Sequence, residues 1–121
     1  MINEIMKYVK VTLKNISTNT SEIVYEGEIA TDAKIITYKD QNGTLSHINF
    51  EKTDTLEIDR IARDYTMKVT INKEKPYCVF KNKTGVIDLP VRVLGLSIKE
   101  NRIYACYDTG EKIELMISIK E

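Results

Sequence analysis

Tryptophan is missing from this sequence, and histidine occurs once, as His47. Without tryptophan, the Cys…Trp…Cys spacing of an immunoglobulin sandwich cannot be met. A serine or cysteine nucleophile needs a neighbouring base, and His47 is the one imidazole that could serve. Its strand parity, opposite Ile48 and Phe50, places it on an outer face. Cys78 and Cys106 stand 28 positions apart. With a single histidine they cannot close a tetrahedral zinc site unless carboxylates join them. The five glycines fit neither phosphate-loop spacing, G-x-x-x-x-G-K-[ST] or G-x-G-x-x-G. Neither sign of charge is in excess, with 18 Lys and Arg against 18 Asp and Glu. No run reaches the five or six like charges of an interaction tail, which argues against a nucleic-acid partner. No segment approaches the roughly 18 uncharged apolar residues of a membrane span, and residues 1–16 lack the continuous apolar centre of a signal peptide. These absences lead us to expect a cytoplasmic, non-enzymatic protein with reduced thiols, no cofactor, no metal and no membrane or nucleic-acid partner.

What the sequence does have is alternation of period two. Val9, Val11 and Leu13 alternate with Lys10, Thr12 and Lys14. Ile23, Tyr25, Gly27 and Ile29 are set against Glu22, Glu26 and Glu28. Leu56 and Ile58 continue the pattern, as do Tyr65, Met67, Val69 and Ile71, and finally Ile113, Leu115, Ile117 and Ile119. Turn-forming stretches punctuate it: DQNG at 40–43, NKEKP at 72–76, NKTG at 82–85, KEN at 99–101 and DTG at 108–110. About ten strands at such spacing predict an all-β fold. One apolar and one charged face per strand suit antiparallel sheets wetted on one side. We expect one domain, residues 1–121, built as an antiparallel meander of about 8–10 strands, closed or nearly closed into a barrel so that no edges are left unpaired.

Residues 85–98, GVIDLPVRVLGLSI, are too long for one flat strand and contain Pro90. Proline cannot donate to a ladder and belongs at a bulge or an edge. Gly95 suits a sharp bend. Two half-strands, about 86–92 and 94–99, are therefore expected.

The same stretch resembles the segment G-x-L-E-L-x-V-x-T-x-x-I of the YwiB-like family of small bacterial proteins. Gly85, Ile87, Asp88, Leu89, Val91 and Leu96 or Ile98 fall on that pattern. Tyr25 to Gly27 resembles the family's T-E-G-like motif, Tyr38 and Lys39 its Y-x-x strand end, and Leu56 to Arg60 its arginine-terminated strand. The chain departs from the family where NKTG replaces a T-P-[YF]-G turn, where Val93 replaces threonine, and where Ile61 and Ala62 follow Arg60 without glycine. The resemblance spans roughly residues 20–119 and implies a calycin-like, lipocalin-type barrel; it implies no activity.

Arg60 is the most informative single residue. It shares parity with Leu56 and Ile58, which aims it at the interior or the barrel mouth. An unpaired guanidinium there would be strongly unfavourable, so it must meet a carboxylate, strand-end carbonyls or an anionic ligand. Tyr25, Tyr38 and Tyr65 share parity with apolar neighbours and should point inward, where their hydroxyls need partners. The leading expectation is a barrel that binds a small anionic or amphipathic molecule, with Arg60 as anchor and Tyr25, Tyr38 and Tyr65 lining the cavity. The alternative is a protein-interaction or structural module with a filled core, acting through an outer face or as a homodimer, to which Met116, Val24 and Ile35 would contribute an apolar patch.

Overall fold

The computed structural model describes residues 6–30, 34–40 and 42–120. Eleven strands run through them: β1 (Met6–Asn15), β2 (Thr20–Ala30), β3 (Ile35–Lys39), β4 (Leu45–Asn49), β5 (Thr55–Ile61), β6 (Tyr65–Asn72), β7 (Tyr77–Asn82), β8 (Gly85–Leu89), β9 (Arg92–Ile98), β10 (Arg102–Asp108) and β11 (Lys112–Lys120). Every ladder is antiparallel. One sheet has the order β2-β1-β11-β10-β9 and the other β3-β4-β5-β6-β7-β8.

The chain is all-β, and it forms two sheets. Around the molecule the strands follow the meander order expected of one barrel, but no ladder joins β2 to β3 or β8 to β9 among the described residues. The eleventh strand arises at the second of these seams. The stretch 85–98 breaks at Pro90 and Val91, so its halves belong to different sheets. Pro90 has no amide hydrogen with which to continue a ladder. The bend expected at Gly95 is a bulge beside it: Cys106 pairs with Gly95 and Tyr107 with Val93, which leaves Leu94 as the extra residue. That bulge explains why Val93 and Leu96, of opposite parity, both pack against the core.

Side chains of the inner parity fill the space between the sheets. Val9, Val11, Ile36, Leu56, Ile71, Cys78, Ile103 and Ala105 are fully buried, and Ile48, Val69 and Ile117 nearly so. Each aliphatic side chain of this size contributes about 1.5–3 kcal/mol when removed from water. Cover is uneven. β9, the edge of the five-stranded sheet, packs over β6. β8 lies two strands further out and is exposed on both faces, with Val86 at 60% and Ile87 at 52% exposure.

The turns form by side-chain capture of backbone amides. Asp40 Oδ1 accepts hydrogen bonds from the amides of Asn42 and Thr44 at 2.9 and 3.0 Å, and Gly43 supplies the positive φ of 81° that closes the loop. Asn72, Asn82 and Asp108 act in the same way at the turns that follow them.

Candidate functional site

The strand registers build a site at one end of the space between the sheets. Across the six-stranded sheet the deepest row at this end is Ile36–Ile48–Ile58–Val69–Cys78, residue facing residue. One step towards the rim the row reads Tyr38–Ser46–Arg60–Met67–Phe80. Polar atoms thus stand directly above an aliphatic floor. The opposite wall comes from the five-stranded sheet: Leu13 and Asn15 at the end of β1, Glu22 and Val24 on β2, Tyr107 on β10, Thr109 to Glu111 in the turn, and Ile113 and Leu115 on β11.

Between these walls lies a cavity of about 720 Å³. Arg60 and Tyr38 line it, in agreement with their inward parity. Arg60 Nη2 lies 4.0 Å from Asp40 Oδ2, so the carboxylate it requires comes from the β3–β4 turn. The Arg60 side chain remains about one-third exposed, at 34%. Burial pushes the Tyr38 phenol above its ordinary value. A hydrogen bond with Ser46 and the Arg60 charge pull it down, and Asp40 pushes it up. Tyr107, half-buried, is pushed up to about 12, chiefly by burial, with Arg60 opposing and Cys78 and Tyr38 adding.

The other two tyrosines do not line the cavity. Tyr25 stacks on Tyr38, centroid to centroid 5.3 Å. Tyr65 stacks on Phe80 at 5.1 Å, two residues along β6 from Met67. Glu22, Asp40, Tyr107 and Glu111 are among the polar lining residues that sequence reasoning does not single out. Glu22 was assigned to the outer face, but Val24 is a bulge, since Val11 pairs with Tyr25 and Thr12 with Ile23. The bulge turns Glu22 and Val24 inward and Ile23 outward, leaving Ile23 at 49% exposure. Val24 is therefore part of the cavity and not of an outer patch. Asp40 and Glu111 sit in turns, where period-two reading is silent. Tyr107 shares parity with buried Ile103 and Ala105, and that signal was present in the sequence.

His47 lies in the outer row Thr37–His47–Asp59, its Nδ1 2.8 Å from Thr37 Oγ1. Cys78 belongs to the inner row of the same sheet and Cys106 to the other sheet, and both thiols are free. Burial pushes the Cys78 thiol up, which keeps it protonated. Among the described residues no group of three His, Cys, Asp or Glu is arranged to hold a metal ion, and no helix is long and apolar enough to cross a membrane.

Fold and site together define a two-sheet antiparallel β-protein with a polar-rimmed apolar cavity at one end. No family model and no curated protein matches the sequence. The solved structure of the YwiB protein from Bacillus subtilis is similar over 95% of this chain and 89% of its own length, at 14% identity and a TM-score of 0.39. A likeness of that degree carries no argument about family or function.

Proposed function

We propose that this protein binds a small amphipathic molecule, without chemical conversion, in the cavity between its sheets. The observation that carries the reading is the cavity itself. Its volume of about 720 Å³ falls within the roughly 300–1,000 Å³ of small-molecule sites, and its plan, an aliphatic floor beneath a few convergent polar groups, is theirs as well. Ile48, Ile58, Met67, Val69 and Leu115 would take the apolar part of the ligand. Ser46, Tyr38, Tyr107 and the Arg60–Asp40 pair would orient its polar end. On this reading the two sheets are the halves of one calycin-like barrel, parted at the β2/β3 and β8/β9 seams, and the open end is the ligand mouth. Two free thiols suit the reducing cytoplasm.

The test is native purification from the host followed by mass spectrometry, repeated with Arg60→Ala. A small molecule that co-purifies with the wild-type chain and is depleted from the variant supports the proposal. Recovery of an empty protein, together with failure of small amphiphiles to shift the amide resonances of Ile58, Val69 and Leu115, overturns it.

A second reading, an interaction module that forms a homodimer, is favoured by the exposed Val86 and Ile87 of edge strand β8 and by exposed Met116. Sedimentation as a monomer at concentrations well above those in the cell rules it out.

A further inference from the structure

Two polar groups line the cavity from opposite sheets with their hydrogen-bond donors uncommitted. Arg60 on β5 belongs to the six-stranded sheet and Tyr107 on β10 to the five-stranded sheet. The contact of Arg60 Nη2 with Asp40 Oδ2, at 4.0 Å, is longer than the roughly 3.2 Å reach of a hydrogen bond. Among the described residues the guanidinium donates no hydrogen bond. The Tyr107 hydroxyl has no partner among them either, although burial is the main cause that lifts its phenol to about 12. Folded proteins leave few buried hydroxyls unpaired, because such a group has given up water for nothing. The two groups also sense each other: the Arg60 charge acts on the Tyr107 phenol and lowers it. Tyr38 differs, since Ser46, its neighbour in the same row, engages its hydroxyl.

Resting on the cavity reading above, we infer that the polar end of the ligand is a carboxylate, which accepts hydrogen bonds from the Arg60 guanidinium and the Tyr107 hydroxyl while its apolar body lies on Ile48, Ile58 and Val69. A guanidinium can only donate, and the phenol donates beside it, so the ligand must bring acceptors. The planar fork of arginine matches the two coplanar oxygens of a carboxylate. Asp40 opposes any anion, and it selects a carboxylate over a phosphate, whose second charge would meet a stronger repulsion. Glu22 and Glu111 also line the cavity, but both are exposed, and Glu111 accepts a hydrogen bond from Asn15 Nδ2 at 2.7 Å. Solvent and salt screen them, so the direct donor contacts decide which head group is preferred.

The test uses three probes of equal chain length, decanoate, decanol and decylamine, at neutral pH. Each is titrated below its aggregation limit by calorimetry, with amide chemical shifts reporting both the fold and the place of binding. Decanoate is expected to bind at least about tenfold tighter than decanol, the factor that one charge-assisted hydrogen bond supplies. Decylamine should be the weakest of the three. Tyr107→Phe keeps the ring and removes the hydroxyl, and Arg60→Gln removes the charge and the fork. Each variant should weaken decanoate by about tenfold and leave decanol within about threefold of its wild-type affinity. Decanoate binding no tighter than decanol, with the cavity amides shifting, would overturn the carboxylate inference and leave the cavity reading standing. A preference for decanoate that survives both substitutions would overturn the assignment to Arg60 and Tyr107. No probe shifting the cavity amides would overturn inference and cavity reading together.

Discussion

Tyr25 on β2 and Tyr38 on β3 face each other across the gap between the two sheets, ring centroids 5.3 Å apart and planes tilted by 32°. No ladder joins these strands, so the aromatic pair ties the sheets together at that seam. Gly27 makes the arrangement possible. The Tyr25 ring folds over it, and a Cβ at position 27 would come within 3.0 Å of the Tyr25 hydroxyl oxygen. A double-mutant cycle with Tyr25→Leu and Tyr38→Leu should return a coupling of about 0.5–1.5 kcal/mol, the usual worth of an offset aromatic pair beyond its burial. Additive effects in urea melts would show that the rings do not touch in solution.

Asp40 has two jobs that substitution can separate. Its Oδ1 closes the β3–β4 turn through two backbone amides, while its Oδ2 stands at the outer limit of ion pairing with Arg60, at 4.0 Å. Asp40→Asn keeps an oxygen for the turn and removes only a partly exposed ion pair, so a loss within about 1 kcal/mol is expected. Asp40→Ala removes the turn acceptor as well and should lower stability by about 1–2 kcal/mol. Equal losses in the two variants would mean that the turn capture contributes nothing.

Parity alone does not decide burial, and two isoleucines make the point measurable. Ile117 on β11 and Ile87 on β8 both lie on strand faces that alternation assigns to the interior. Ile117 is 1% exposed between the sheets and Ile87 is 52% exposed on a strand that overhangs the edge of the opposite sheet. Ile117→Ala should therefore cost about 2–5 kcal/mol, whereas Ile87→Ala should stay within about 0.5 kcal/mol of wild type. Comparable losses at both positions would place β8 beneath a cover that the two-sheet arrangement does not provide.

Much of this architecture was legible as period-two alternation, because a half-buried antiparallel strand has to alternate. Val9 and Val11, Leu56 and Ile58, and Leu115, Ile117 and Ile119 all face the core as their spacing requires. The inward aim of Arg60 followed from the same rule. Reading failed wherever one residue was inserted or the chain changed sheets. The bulge at Val24 reversed the faces of Ile23 and Glu22, and a bulge leaves no mark in composition when the extra residue is an ordinary valine. The seam at Pro90 was visible as a break, but which sheet each half joins depends on long-range pairing that local sequence does not encode. Asp40 read as a turn residue and is one; its second role arises only because β3 and β5 flank β4 in the same sheet, which brings Asp40 beside Arg60. Tyr65 shares parity with Met67, Val69 and Ile71, yet it is not part of the cavity lining and stacks on Phe80 instead.

The tyrosines of the cavity predict a stability that fails in alkali. The Tyr107 phenol is pushed up to about 12 in the folded chain, against 10.0 when unfolded, and that of Tyr38 is raised as well, in both cases first of all by burial. Below about pH 10 both groups are protonated in the folded and unfolded states and contribute no pH dependence. Above it the unfolded chain loses its Tyr107 proton while the folded chain keeps it, so the unfolded state gains and stability falls. The fall continues to about pH 12, where the folded phenol also ionises and the loss levels off. Tyr107→Phe removes the ionisable group without vacating the wall, and its urea midpoint should decline less steeply than that of the wild type between pH 10 and 12. The difference between the two curves reports the Tyr107 hydroxyl together with its coupling to Tyr38. Parallel curves would mean that its hydroxyl meets water freely and that the cavity wall at that point is open to solvent.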